Sequence, residues 1–259
     1  MYRSHYDHDV AIFSPQGRIH QIEYAMEAVK QGSATLGIKS QTHVVLAGFK
    51  RPNDDFSVHQ NKIFEIDSHM GITVSGITCD ARVLCNFMRN ACNSYRYFYD
   101  SPMPAHRLVL SVSDKMHKPT MSYGQRPFGI GLLLGACDDS GPHLYQLCPS
   151  ANYFDCIAMA IGARCQTAKT YLEKNFDLFH DASLEQLVEH AVRALNECLP
   201  NDTTLSSKNC GISVVGVDYP FSVLDDEVIN DYLSKISFPV KETAGSESRD
   251  PDVEVDSTV

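Results

Sequence analysis

No stretch of this chain is long and apolar enough to span a bilayer. The longest candidates, residues 129–137 and 156–163, fall short of the ~20 residues a spanning helix needs and read as buried strands. The opening Met-Tyr-Arg-Ser-His-Tyr-Asp-His-Asp carries charges and has no apolar centre, so it is not expected to act as a secretory signal. The Asn201-Asp202-Thr203 sequon therefore carries little weight. Paired cysteines are missing as well. The 9 cysteines are scattered, and none has the C-x-x-C spacing of a structural zinc site. An odd count in a chain of 259 residues suits buried thiols in a reducing compartment better than a disulfide framework. An excess of positive charge is also absent. The formal net charge is -10, which repels phosphate backbones and argues against a general nucleic-acid binder.

The common catalytic signatures are absent too. There is no Walker A loop, no H-E-x-x-H and no G-x-S-x-G elbow. Gly129 and Gly131 lack the third glycine of a dinucleotide loop, and their run reads as strand. His5 and His8 lie three apart, but in a polar arm rather than a ligand cluster. Glu189-His190 falls in a helical pattern and reads as a solvated face. Asp138-Asp139 and Asp225-Asp226 are adjacent acids, which point to turns or helix caps, not to acid–base chemistry. The residues call for no cofactor and no metal.

What the chain does contain is a clear order of elements. A polar, aromatic arm covers residues 1–13. Ser14-Pro15-Gln16-Gly17 then has Pro second and Gly fourth, as a type I turn prefers. Ile19, Ile22, Met26 and Val29 step by three, four and three, which predicts a helix with one apolar stripe, closed by Gly32 as a C-terminal cap. Strand patterns follow at 33–39 and 44–49, and at 63–67 and 71–77, each pair a hairpin. Val83, Leu84, Phe87, Met88 and Ala91 give one helix its buried face; Leu108, Val109, Val112 and Met116 give the next. Residues 129–137 are nearly all apolar, as in a strand buried on both faces. Strands at 143–147 and 156–161, helices at 164–175 and 184–199, a hairpin at 210–217 and 221–224, and a helix at 227–236 complete the pattern.

Strand groups and helix pairs alternate in blocks rather than one for one. That argues against a doubly wound parallel sheet and predicts an α+β fold of two antiparallel sheets covered by helices. No short internal repeat is present. Three regions are expected: an arm at 1–13, one domain at 14–238, and a disordered acidic tail at 239–259. In the tail Glu242, Glu247, Asp250, Asp252, Glu254 and Asp256 oppose only Lys241 and Arg249.

One longer pattern goes further. Tyr6-Asp7-His8-Asp9, then Phe13-Ser14-Pro15-Gln16-Gly17-Arg18-Ile19-His20-Gln21-Ile22-Glu23-Tyr24-Ala25, resembles the amino-terminal signature of proteasome alpha subunits. Lys62-Ile63 with Ile66-Asp67, Gly76 with Asp80-Ala81-Arg82 and Leu84, Arg126-Pro127-Phe128-Gly129, Gly141-Pro142-His143-Leu144-Tyr145-Gln146 and Ile161-Gly162-Ala163 extend the likeness. It runs from Tyr6 to Ile236. Residues 26–35 and 148–156 look like one member of the family in particular, while stretches such as 57–61 and 93–101 diverge.

The resemblance implies a four-layer αββα sandwich, the N-terminal nucleophile hydrolase-like fold. It implies a hetero-heptameric ring with other alpha subunits, stacked on beta subunits and capped by regulatory particles or activators, in cytoplasm and nucleus, with neither nucleic acid nor membrane as partner. It implies a role in ATP- and ubiquitin-dependent and in ubiquitin-independent protein degradation.

Active relatives of this fold use an amino-terminal threonine whose free amine acts as base, supported by a lysine and an aspartate. By the resemblance Ser33 falls at the nucleophile position, Lys62 at the lysine and Phe49 near the aspartate, and the preceding helix stays in the mature chain. The resemblance thus implies no catalytic residue and a structural, gating role. It assigns Tyr6, Asp7, Pro15 and Tyr24 to the cluster that holds the amino-terminal tails in the open gate. His8 departs from the residues common at its position. It assigns Lys62, with Gly32 and Ile19, to a pocket where activator carboxyl termini dock. An active threonine peptidase of the same fold and a divergent free-standing binding protein are the alternatives.

Overall fold

Ten strands arranged in two antiparallel sheets form the centre of the computed structural model, which describes residues 6–51, 56, 60–200 and 204–236. One sheet holds β1 (Thr35–Lys39), β2 (His43–Phe49), β8 (Ala158–Ile161), β9 (Cys210–Gly216) and β10 (Tyr219–Val223), in the order β10-β9-β2-β1-β8. The other keeps chain order through β3 (Ile63–Asp67), β4 (Met70–Gly76), β5 (Ile130–Asp138), β6 (Gly141–Leu147) and β7 (Tyr153–Asp155).

The alternation of side chains across each strand decides the layers. Along β5, Ile130, Leu132, Leu134 and Ala136 face α2 (Thr78–Tyr99) and α3 (Ala105–Met121), while Leu133 faces the opposite sheet. Along β2, Val44 and Leu46 meet Leu133 and Leu144 between the sheets. Val45 and Ala47 face the other way, onto α4 (Cys165–Lys174), α5 (Leu184–Glu197) and α6 (Asp226–Lys235). The result is the expected four-layer αββα sandwich. Each fully buried Leu or Ile contributes about 1.5–3 kcal/mol, so these three clusters outweigh any local preference. Helix α5 starts on a capping box: Ser183 accepts from the Gln186 amide, and the Gln186 side chain accepts from the Ser183 amide.

Four details differ from the sequence reading. Residues 156–161 are not one strand. The Cys156 amide donates to Leu144 O at 2.8 Å in one sheet, and Ile157 O accepts from Lys39 N at 2.7 Å in the other. The chain therefore crosses between sheets at that pair, which no periodicity signals. Gly32 caps α1 as expected, its amide donating to Val29 O at 3.0 Å, but its backbone is extended, φ -65° and ψ 156°, and not left-handed. His190 is not on a solvated face. Its Nδ1 lies 3.0 Å from the Tyr171 hydroxyl and its ring 5.4 Å from that of Phe179. Burial pushes its pKa below the usual histidine value. Finally, α1 (His20–Gln31) buries only Ala25 and Val29; Ile22, Met26 and the preceding Ile19 are half-buried. It lies outside the layers, against β4 and β5. The arm at residues 1–5 and the acidic tail at 239–259 lie outside the described residues.

Candidate functional site

The first helix and the segment before it form the most individual feature of the molecule. Ser14-Pro15-Gln16-Gly17 is a turn, as expected: the Gly17 amide donates to Ser14 O at 2.8 Å. Gly17 has φ +76°, a backbone that side chains resist. The buried Ser14 closes the corner from both ends. Its amide donates to Arg18 O at 2.9 Å, and its hydroxyl accepts from the Arg18 amide at 3.1 Å. Pro15 is exposed on this turn.

Helix α1 then presents polar groups back to the arm. The Tyr24 hydroxyl donates to Asp7 Oδ2 at 3.3 Å, and the Gln21 side-chain amide donates to the Asp7 carbonyl. The Tyr24 ring stacks with His20, centroids 6.3 Å apart. Partial desolvation, then the Asp7 charge, raises the Tyr24 pKa. Tyr24 and Tyr6 nevertheless remain 50% and 42% exposed. Two of the four expected gate residues, Asp7 and Tyr24, are thus in contact. Gln21 lies within the signature but carries no expected role; its position one turn before Tyr24, on a face bearing Asp7, is the signal that marks it.

At the other end of α1, Gly32 packs against the end of β4. A Cβ there would meet Gly76 N at 2.3 Å and Ser75 Oγ at 2.4 Å. Only glycine permits that approach. Ser75 ties the region together, its hydroxyl 3.0 Å from Val29 O and 3.1 Å from Ser33 O. Lys62 lies beside it: its carbonyl accepts from Val74 N at 3.1 Å and from Thr73 Oγ1 at 3.2 Å. The Lys62 side chain is 7% exposed and has no hydrogen-bond or ion-pair partner among the described residues. Burial, and then the like charge of Arg51, lowers its pKa. A buried ammonium facing a second cation is unfavourable unless an anion arrives.

Ile19 is elsewhere. It precedes the 12 residues of α1, so at ~1.5 Å per residue it stands about 20 Å along the axis from Gly32. Lys62 and Gly32 both neighbour the last residues of β4, Lys62 at Thr73 and Val74 and Gly32 at Ser75 and Gly76, while Ile19 stands at the far end of α1.

The strand ends under α1 are buttressed by a pair of motif residues for which the sequence suggests no role. Arg126 binds Asp80 through two bonds of 2.7 and 2.8 Å, and Asp80 also accepts from the Gly129 amide at 2.9 Å. The Arg126 bond holds the Asp80 carboxyl below its usual pKa despite burial.

Ser33 and Phe49 line one cavity of about 330 Å³, together with Arg51, Arg164, Leu199 and Pro200. Phe49 thus brings an apolar ring to the same cavity as Ser33. The nitrogen of Ser33 is an amide that continues the chain from α1. At the opposite end of the strands a cleft of about 860 Å³ opens among the hairpin turns. Its Asp138 is engaged structurally, accepting from Ser140 N at 3.0 Å and from the first amide of α3, Ala105 N, at 3.2 Å. Among the described residues no group of three His, Cys, Asp or Glu is placed to hold a metal, and no helix is long and apolar enough to cross a membrane.

Comparison with known proteins matches this geometry to a family. The family described as proteasome subunit matches residues 29–215, and the N-terminal signature of A-type proteasome subunits matches residues 6–28. The chain is 51% identical over 235 residues to the alpha type-1 proteasome subunit of Dictyostelium discoideum, covering 90% of this chain and 95% of that protein. It is 44% identical over 246 residues to alpha type-1 of Caenorhabditis elegans, covering 95% of each. It is 43% identical over 235 residues to alpha type-6 of Saccharomyces cerevisiae, covering 90% and 100%. The member suggested by residues 26–35 and 148–156 is this same one, alpha type-1, alpha-6 in the systematic naming.

Proposed function

This chain belongs to the alpha-type proteasome subunit family, and we propose that it is a non-catalytic structural and gating subunit of the outer ring of the 20S core. The observation that carries the gating reading is the anchoring of Asp7 by Gln21 and Tyr24, which fastens the arm to α1. An arm held at its base by a few exposed polar contacts suits a two-state element, since about 1 kcal/mol per contact is small enough for a partner to offset. Pro15 sets the corner from which the arm leaves, and Tyr6 adds an aromatic face beside Asp7.

The docking reading rests on Lys62. A carboxylate from an activator would supply the missing counter-charge through a charge-assisted hydrogen bond, near the end of β4 against which Gly32 packs. Because Ile19 stands at the far end of α1, the pocket takes its Ile19-like residue from the adjacent ring member, and this chain's Ile19 serves the pocket on its other side. The non-catalytic reading is supported by the amide at Ser33 and by Phe49. On this reading the partners are the other alpha subunits, the beta subunits and regulatory particles, in cytoplasm and nucleus, in the degradation of proteins with and without ubiquitin. No cofactor is required.

The test is to tag the carboxyl terminus, isolate the chain from its own cells, and run a native gel with a fluorogenic peptide overlay and mass spectrometry. A large peptidase-active band containing the other alpha and beta subunit types is expected. A chain that runs alone and inert overturns the assignment. Turnover by the purified chain that disappears in Ser33→Ala overturns the non-catalytic part.

A further inference from the structure

Among the described residues, the charged side chains lining the cavity beside Ser33 are all of one sign. Among the described residues, Arg51 and Arg164 both line it, and no acidic side chain does. Neither guanidinium has an ion-pair or hydrogen-bond partner among those residues. Arg164 is exposed and stands directly before α4, where its backbone takes the left-handed conformation at φ 54°. Buried Lys62 is also without a partner there, and the charge acting on it is that of Arg51. Two cations thus line one concave, partly apolar surface, and a third, Lys62, lies within the field of Arg51, on a chain whose net charge is -10. Such a recess concentrates positive potential and draws an anionic partner.

We propose that this cavity is a docking site for the chain's own acidic segment, residues 250–256. The sequence there is Asp250-Pro251-Asp252-Val253-Glu254-Val255-Asp256, with an acid at every second position and an apolar residue between. In an extended peptide, alternate side chains point to opposite sides. The acids then face Arg51 and Arg164, and the valines face Phe49, Leu199 and Pro200. Reach is sufficient. The described chain stops at Ile236, which packs in the same core layer as Phe49 and Leu199. The residues between, 237–249, extend to about 45 Å, comparable with the diameter expected for a domain of this size. A segment seated there would also offset the positive field at Lys62. That consequence rests on the docking role proposed above; the seating itself does not.

The experiment places a photo-crosslinking benzoylphenylalanine at Val255 in the full tagged chain. The chain is isolated with whatever assembles with it, irradiated, and its peptides mapped. Crosslinks within the chain to the peptides bearing Phe49, Arg51, Arg164 or Leu199 are expected. Their yield should fall about tenfold in Arg51→Glu with Arg164→Glu, and return when Asp252, Glu254 and Asp256 are all changed to Lys. Raising the salt from about 0.05 to about 0.5 M should lower the yield in the unaltered chain, independently of any effect of substitution on folding. Crosslinks elsewhere on the chain, to another protein of the assembly, or insensitive to both charge reversal and salt would overturn the proposal. Co-isolation of other subunits is scored separately. A chain that assembles without these crosslinks loses only the tail site, and one that crosslinks without assembling loses only the ring assignment.

Discussion

Arg126 grips the Asp80 carboxylate with both terminal nitrogens, at 2.7 and 2.8 Å, and so pins the segment leading into β5 to the start of α2. The same carboxylate accepts from the Gly129 amide, and Gly129 in turn lies close to Ala28 of α1. The platform beneath the first helix therefore depends on this pair. Asp80→Ala leaves the Gly129 amide without its acceptor and the guanidinium with only the Pro127 carbonyl, and is expected to destabilise the chain by about 1–3 kcal/mol. Because the folded pKa of Asp80 lies below its ordinary value of 3.8, the pair's contribution is present above that value. It is lost as pH falls through the folded pKa. Urea unfolding at about pH 7 and about pH 3 should show the difference between native chain and variant shrinking at the lower pH.

Lys62→Met should behave in the opposite sense. It replaces a buried lysine whose ammonium has no partner among the described residues by an apolar chain of similar length, and is expected to stabilise the protein by about 1 kcal/mol, or roughly 2–4 °C in Tm. The folded pKa of Lys62 lies below 10.5. The native chain therefore recovers its deficit as pH rises through the folded pKa toward 10.5, and the two melting curves should converge there. In the particle the same substitution should weaken stimulation by activators. A variant that melts lower than the native chain would show that Lys62 has a counter-ion in solution.

Gly32→Ala should damage the junction of α1 and β1. The added methyl would meet backbone at 2.3 Å, and relief requires moving Gly76 or the helix end. A loss of about 2–3 kcal/mol is expected from a thermal melt. The variant should also fail to join the assembled particle, as read by native gel.

Tyr24→Phe tests the arm more gently. It deletes one exposed hydrogen bond of 3.3 Å, so stability should change by only about 0.5 kcal/mol. Activator-stimulated peptide hydrolysis should fall while the unstimulated rate stays near its native level. Equal loss of both rates would place Tyr24 in packing rather than gating.

Much of the candidate site is legible in the chain because its groups are close in sequence. The turn at Ser14–Gly17, the helix from His20 and the pairing of Asp7 with Tyr24 involve residues within 17 positions of one another. Gln21 has no role in the sequence reading because a glutamine on a helix surface is ordinary until a carbonyl is found opposite it. His190 reads wrongly because helix period cannot distinguish solvent from Tyr171, a residue on a different helix.

The sequence by itself determined the order of elements and two antiparallel sheets covered by helices, since period-two and period-3.6 patterns leave few ways to hide the apolar sides; the αββα layering came with the family resemblance. It also determined, through the long motif before Tyr24, the family. Only the tertiary structure decided where the chain changes sheets at Cys156 and Ile157, because backbone hydrogen bonds carry no residue code. Only it decided that Gly32, besides capping α1, serves close packing against Ser75 and Gly76. Only it set Lys62 beside Arg51 without a counter-charge among the described residues and parted Ile19 from Gly32 by the length of a helix. Burial, charge and distance between residues remote in sequence arise when the sheets close, and no local pattern can state them in advance.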